Sequence, residues 1–241
     1  ASGDPLSDRV ILWTRVSGFV DEVITVAWQV ALDQAMLQIV ADGQSLTGPE
    51  RDFTVKVDAL LPKPGTVYYY RFGVNGNWSM IGRTRTTSVD PNHLRLAVMS
   101  CSSIWSGYMN AYADLAQRED LDLVIHLGDY IYDVPDPDEE ILMPEDSRDR
   151  TSPTDLNAVR RRYAYYRQDP LLQSAHQHHP FVVVWDNHDI ENLAGKEASI
   201  RAFHEWQPIR TDESGQHERI YRRFQLGSLL DLLILDTRHI G

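Results

Sequence analysis

Asp186, Asn187, His188 and Asp189 stand directly after an apolar, β-branched run, Phe181–Val184, closed by Trp185. The run reads as a buried strand, so carboxylate, carboxamide and imidazole groups arrive together at its carboxyl end. The same design occurs twice upstream. Leu121–Leu127 ends on Gly128-Asp129-Tyr130-Ile131-Tyr132-Asp133, and Leu94–Met99 ends on Ser100-Cys101-Ser102-Ser103. Glycine lets the backbone turn sharply, so Gly128 allows Asp129 to point along a crevice, and a carboxylate bridges two cations as a neutral ligand does poorly. Thiolate and phenolate are strong anionic donors, so Cys101 and Tyr132 together favour iron over magnesium. The cation itself supplies the depressed pKa a bound thiolate needs. Asn187, through its carbonyl oxygen, would serve a second, harder cation. Two cations about 3.5–4 Å apart clamp both oxygens of an in-line phosphoryl displacement and generate hydroxide from bound water. His188 is then placed to protonate the leaving alkoxide or stabilise its charge. Asp189 follows as its orienting partner, or as a calcium ligand.

The elements that must position these groups change character along the chain. Residues 1–90 read as all-β, with strands over Asp8–Val16, Glu22–Ala31, Asp52–Val57 and Val67–Val74. Turn clusters at Gly18, Asp42-Gly43, Gly48-Pro49, Pro62–Gly65 and Asn75–Asn77 separate them, and Val74–Trp78 predicts a hairpin. This spacing suggests a β-sandwich. After the linker-like Ser88–Asn92, strands alternate with helical segments over residues 91–241, as in a parallel-rich α/β layer. In such sheets ligands bind beyond the carboxyl ends of the strands. Helices are expected over Tyr108–Asp120, over Asp155–Gln173 with Thr154 as cap, and over Ala198–Trp206. Two more strands are expected at Arg219–Gln225 and Leu229–Asp236. The acidic, proline-punctuated Val134–Thr151 reads as a solvated loop, a lid or a cation-binding flap. Arg160, Arg161 and Arg162 are consecutive on a helix and point apart, which argues against a joint phosphate clamp. His176, His178 and His179 precede their strand and so lie at its opposite end from the rim.

The chain has 23 basic and 35 acidic residues, a net charge of −12. With no long basic stripe to offset it, this balance argues against nucleic acid and anionic membrane surfaces as general partners. An anionic substrate would be repelled unless bound cations invert the local field. No apolar run approaches a membrane span. The one cysteine, Cys101, allows no intrachain disulfide, and taken alone it reads as a small buried hydrophobe.

The pattern GDxxY followed by a strand ending in (D/N)-(D/N)-H-(D/E) resembles the calcineurin-like metallophosphoesterase superfamily, its Tyr matching the purple acid phosphatase branch. SGDPLSDRVILWTRV (2–16), YYYRF (68–72), SCSS (100–103), HLGDYIYD (126–133), YRQDPLLQ (166–173), FVVVWDNHDIEN (181–192) and IYRRFQLGSLLDLLILDTR (220–238) resemble, in order, the PhoD-type alkaline phosphatases and phosphodiesterases. The resemblance implies an immunoglobulin/fibronectin-like sandwich over 1–90 ahead of an α/β phosphoesterase core over 91–241. It implies Fe(III) with Ca(II), periplasmic or secreted location, and hydrolysis of phosphate mono- and diesters. By motif, Cys101, Asp129 and Tyr132 would hold the iron. Asp129 would bridge to calcium, Asn187 would bind calcium, and His188 would lie beside the substrate. Two departures stand out. The family has WDDHE where this chain has Trp185-Asp186-Asn187-His188-Asp189, and it supplies further ligands from a downstream Gly-Asp-x-His segment absent here. The chain is therefore expected to be part of a core completed by another segment or chain. Alternatives are a phospholipase D-like phosphodiesterase and an inactive calcium-binding or adhesive module.

Overall fold

The computed structural model describes residues 1–135, 151–191, 194–211 and 219–238. The acidic segment expected as a loop or lid lies largely outside them, as does His239. The first part of the chain forms β1 (Ser2–Gly3), β2 (Arg9–Arg15), β3 (Ile24–Ala31), β4 (Ile39–Thr47), β5 (Thr54–Leu60), β6 (Val67–Val74), β7 (Asn77–Trp78) and β8 (Gly82–Arg85). Asn75 and Gly76 both have positive φ, +51° and +80°, and turn β6 into β7 as the sequence predicts. The strand β4 falls where Asp42-Gly43 reads as a turn. Gly43 instead sits opposite Trp28, and a Cβ there would come within 2.7 Å of the indole. The glycine makes room for a ring rather than for a bend. Val10 and Leu12 of β2, Val55 and Ala59 of β5, Val26 and Val30 of β3, and Tyr68, Tyr70 and Phe72 of β6 bury one another in a single core.

The second part adds β9 (Leu96–Met99), α1 (Asn110–Gln117), β10 (Leu123–His126), α2 (Leu156–Tyr166), α3 (Pro170–His178), β11 (Pro180–Val183), α4 (Asn187–Ile190), α5 (Lys196–Trp206), β12 (Arg222–Leu226) and β13 (Leu230–Ile234). Strands β9, β10 and β11 pair in parallel, Val98 with Ile125 and Ile125 with Val182. Every residue of β10 and β11 is buried, the pattern of strands covered on both faces. Their sheet runs on through β1 into β2 and β5, in the order β5-β2-β1-β11-β10-β9. One sheet therefore crosses the expected division at residue 90. Gly3 makes that join possible, because a Cβ there would meet the Phe181 carbonyl oxygen at 2.5 Å.

Two expectations need correction. The helix expected over Asp155–Gln173 is two helices, because Asp169 caps α3 at the amides of Leu171 and Leu172 and Pro170 opens it. Asp155, not Thr154, caps α2, accepting from the Ala158 amide at 2.8 Å. The last two strands pair with each other and, among the described residues, do not join the larger sheet. Only Gly227–Leu229 separate β12 from β13, a connection too short for a parallel crossover. The buried Asp4 ties this hairpin to β1 through Arg222 at 2.8 Å.

Candidate metal centre

Three adjacent parallel strands end side by side, and the loops that leave them carry the residues the sequence singles out. Backbone hydrogen bonds lace the first two loops together: the Cys101 amide donates to Gly128 O at 3.1 Å and the Ser102 amide to Asp129 O at 2.9 Å. Cys101 and Asp129 both occupy the left-handed region, with φ of +56° and +51°. Such strain in residues other than glycine persists where the surroundings over-determine it, and it clusters at functional sites. Gly128, at φ +111°, has a second reason to be glycine. A Cβ there would meet Asp186 Cβ at 2.6 Å and its amide nitrogen at 2.7 Å. The third loop thus rests directly on the second.

Cys101 Sγ lies 3.7 Å from Asp129 Oδ2, and Asp129 Oδ1 accepts the His188 amide at 3.1 Å. Burial raises the Asp129 carboxyl above its ordinary pKa, against the hydrogen bond from His188. The Tyr132 ring stacks on the His188 imidazole with centroids 4.1 Å apart. Asn187 opens α4 on the neighbouring loop. The structure thus brings Cys101, Asp129, Tyr132 and His188 into one chain of contacts, with Asn187 adjacent in sequence to His188. His176, His178 and His179 lie before β11 in chain order, the first two on α3, and stand apart from this cluster. His176 Nε2 pairs with Tyr130 OH at 2.8 Å, and His179 Nε2 with Leu115 O at 2.7 Å.

Residues 96–193 and 193–241 match the model of the PhoD-like phosphatase family, and residues 1–88 match that of the PhoD-like phosphatase N-terminal domain. The chain belongs to the PhoD-like phosphatase family. It is 35% identical over 268 aligned positions to alkaline phosphatase D of Bacillus subtilis (strain 168), covering 99% of this chain and 46% of that protein. It matches a solved structure of PhoD with a TM-score of 0.88 at 34% identity, covering 99% of this chain and 51% of the other. The chain spans about half the length of the relatives it matches.

Two donors bound to one ion at about 2.0–2.3 Å lie roughly 3–4 Å apart, which the Cys101–Asp129 pair satisfies. Among the described residues no three His, Cys, Asp or Glu side chains close a cage by themselves. Tyr132, whose phenol is of a type outside that set, stacks on His188 beside the pair.

Asp189 corrects the sequence reading. Its buried carboxylate accepts the amides of Tyr130 at 3.1 Å, Ile131 at 3.3 Å and Asp186 at 2.9 Å. As the third residue of α4 it folds back on the helix start, so it pins the second loop to the third and leaves His188 to another partner. Burial pushes its pKa up to about 8. Nδ1 of His188 lies instead 2.7 Å from Oδ1 of Asp133. The sequence contains the signal in Asp133's place four residues after Asp129, which the eye passes over for Tyr132.

Two more residues escape a reading by motif. Arg238 is hydrogen-bonded to Asp186 and lies 3.4 Å from Asn187 Oδ1, holding the start of α4 from the end of β13. His126, buried at the end of β10, accepts the Gly128 amide on Nδ1 at 3.3 Å and faces Ser102 Oγ and Tyr112 OH at 3.1 Å with Nε2. It therefore braces the first two loops. Its pKa is lowered to about 3 by burial first and by the nearby Arg167 second.

Proposed function

We propose that this chain carries part of a metal-dependent phosphoesterase centre and serves in the hydrolysis of phosphate mono- and diesters. The observation that carries the reading is the meeting of Cys101 and Asp129, both on left-handed backbone, with the His188–Asp133 pair at the ends of three parallel strands. Relatives named alkaline phosphatase D and PhoD support it. Cys101, Asp129 and Tyr132 would hold iron(III), and Asp129 with Asn187 would hold calcium. Bound there, the cations would acidify water and offset the charge of the phosphoryl oxygens. Asp133 can only accept as a carboxylate, so Nδ1 of His188 carries a proton and Nε2 is the nitrogen that serves the leaving alkoxide. The stacked Tyr132 limits rotation of that imidazole. Asp189 holds the loops together through the amides of Tyr130, Ile131 and Asp186.

The site is completed, in this reading, by a further segment or chain. Support comes from apolar side chains left open: Val98 on the edge strand β9, Leu127 just past β10, and Leu233 and Leu235 on and after β13 are each more than half exposed. Val98 pairs with Ile125, two residues before Leu127, so these two share a face of the sheet. Sedimentation of the isolated chain at micromolar concentration is expected to show self-association through these residues. A monodisperse monomer would count against it. We also assign residues 1–90 to a sandwich-like layer whose β1, β2 and β5 continue into the sheet of a phosphoesterase core over 91–241, and place the protein in the periplasm or outside the cell. Among the described residues no helix is long and apolar enough to cross a membrane.

Metal analysis paired with hydrolysis of p-nitrophenyl phosphate and bis-p-nitrophenyl phosphate, with the completing segment present, tests the function. Turnover that disappears on chelation and returns with iron and calcium is expected. A protein that binds calcium, stays colourless and attacks neither ester would be a binding module.

A further inference from the structure

We propose that Arg162 is a positioning residue that sets the His188 imidazole through the backbone of Tyr132 and Asp133. The inference rests on the phosphoesterase reading of the site. The three consecutive arginines of α2 diverge as helical geometry requires. Arg160 is buried against Glu205 at 2.6 Å, Arg161 is exposed, and Arg162 is buried toward the rim. Nη1 of Arg162 donates to the carbonyl oxygens of Tyr132 and Asp133, each at 2.6 Å. Nη2 donates to Thr151 O at 2.9 Å. The guanidinium also lies over the Trp105 ring, 5.0 Å from its centroid, on the loop that follows Cys101.

One rigid, planar, permanently charged group thus joins the loop of Cys101, the loop of Tyr132 and Asp133, and the start of the chain leading into α2. A guanidinium presents its donors in a fixed fork, which suits adjacent carbonyls as a flexible ammonium does not. Both residues it holds touch the same imidazole. Tyr132 stacks on His188, and Asp133 sits 2.7 Å from its Nδ1. A second support comes from α2 itself, where Tyr166 OH accepts the Tyr132 amide at 3.1 Å. The helix therefore grips the Tyr132–Asp133 backbone by both an amide and two carbonyls.

The test compares Arg162→Lys with Arg160→Lys, each in the full chain. The readouts are the ¹⁵N shifts of the His188 ring at a pH where it is neutral, and turnover of bis-p-nitrophenyl phosphate. In the wild type and in Arg160→Lys, His188 is expected to show one tautomer, protonated on Nδ1. In Arg162→Lys a mixture of tautomers is expected, and kcat should fall about 10- to 100-fold while KM stays within about twofold. An unchanged His188 signal in folded Arg162→Lys would overturn the proposal. So would Arg162→Lys failing to fold while Arg160→Lys folds, because Arg162 would then be a core brace. If the ring signals respond as expected but the wild type hydrolyses neither ester, the positioning stands and the phosphoesterase reading fails.

Discussion

The N-terminal layers and the rim of the parallel strands both depend on unusual backbone, but to opposite ends. In the N-terminal layers glycine yields space to aromatic rings. Gly43 lies under Trp28, Gly73 under Trp78, and Gly82 under Tyr70. Left-handed backbone there falls in connections such as Asn75, where a turn needs it. At the rim the left-handed positions are Cys101 and Asp129, and the glycine between β10 and Asp129 makes room for another loop's backbone. One region uses conformational freedom to pack. The other holds reactive groups in conformations they would not choose, and relies on its neighbours to keep them there.

That contrast can be broken most directly at Gly128. Gly128→Ala adds a Cβ against Asp186 at a φ alanine rarely adopts, so denaturant unfolding should show a loss of about 3 kcal/mol or more. Gly107→Ala, where nothing lies within 4 Å, should change stability by no more than about 0.5 kcal/mol. Equal costs at the two positions would remove the close approach from the account. The brace beneath the rim gives a pH signature. His126 has a folded pKa near 3 against an unfolded 6.5, so below pH 6.5 the unfolded chain binds the proton that the folded chain refuses. Stability should therefore fall as pH drops from 6.5 toward 3, by up to about 1.4 kcal/mol per unit from this group. His126→Gln should flatten that slope in a pH series of unfolding curves, and an unchanged slope would contradict it.

A smaller effect sharpens the comparison further. Cys101→Gly relieves left-handed strain, so the metal-free protein should gain about 1 kcal/mol while losing iron binding, a gain that calorimetry would detect. Asn75→Gly in the β6–β7 turn should gain only about a few tenths of a kcal/mol, because asparagine tolerates that conformation. If both substitutions act alike, the rim is no more strained than an ordinary turn.

Much of this was legible in the chain. Strands announce themselves by β-branched runs, and the groups at their carboxyl ends meet because parallel neighbours end on one side. Cys101, Asp129, Tyr132 and His188 therefore come together as their positions suggest. The role of Asp189 was not legible, since a carboxylate next to a histidine serves it as readily in sequence as the more distant Asp133 does in space. Arg162 and Arg238 reach the rim from a helix and a hairpin, and no local pattern reports such a contact. Gly43 misled for a simple reason: glycine that clears space for Trp28 and glycine that turns a chain look the same in sequence.

Titration of iron(III) into the protein, followed by visible absorption, tests the central claim that these three loops share a cation. One equivalent should bind and give a charge-transfer band that Tyr132→Phe abolishes and Cys101→Ser shifts or weakens. A band unchanged in both variants, or no stoichiometric binding by the wild type, would mean that the three loops meet for some other purpose.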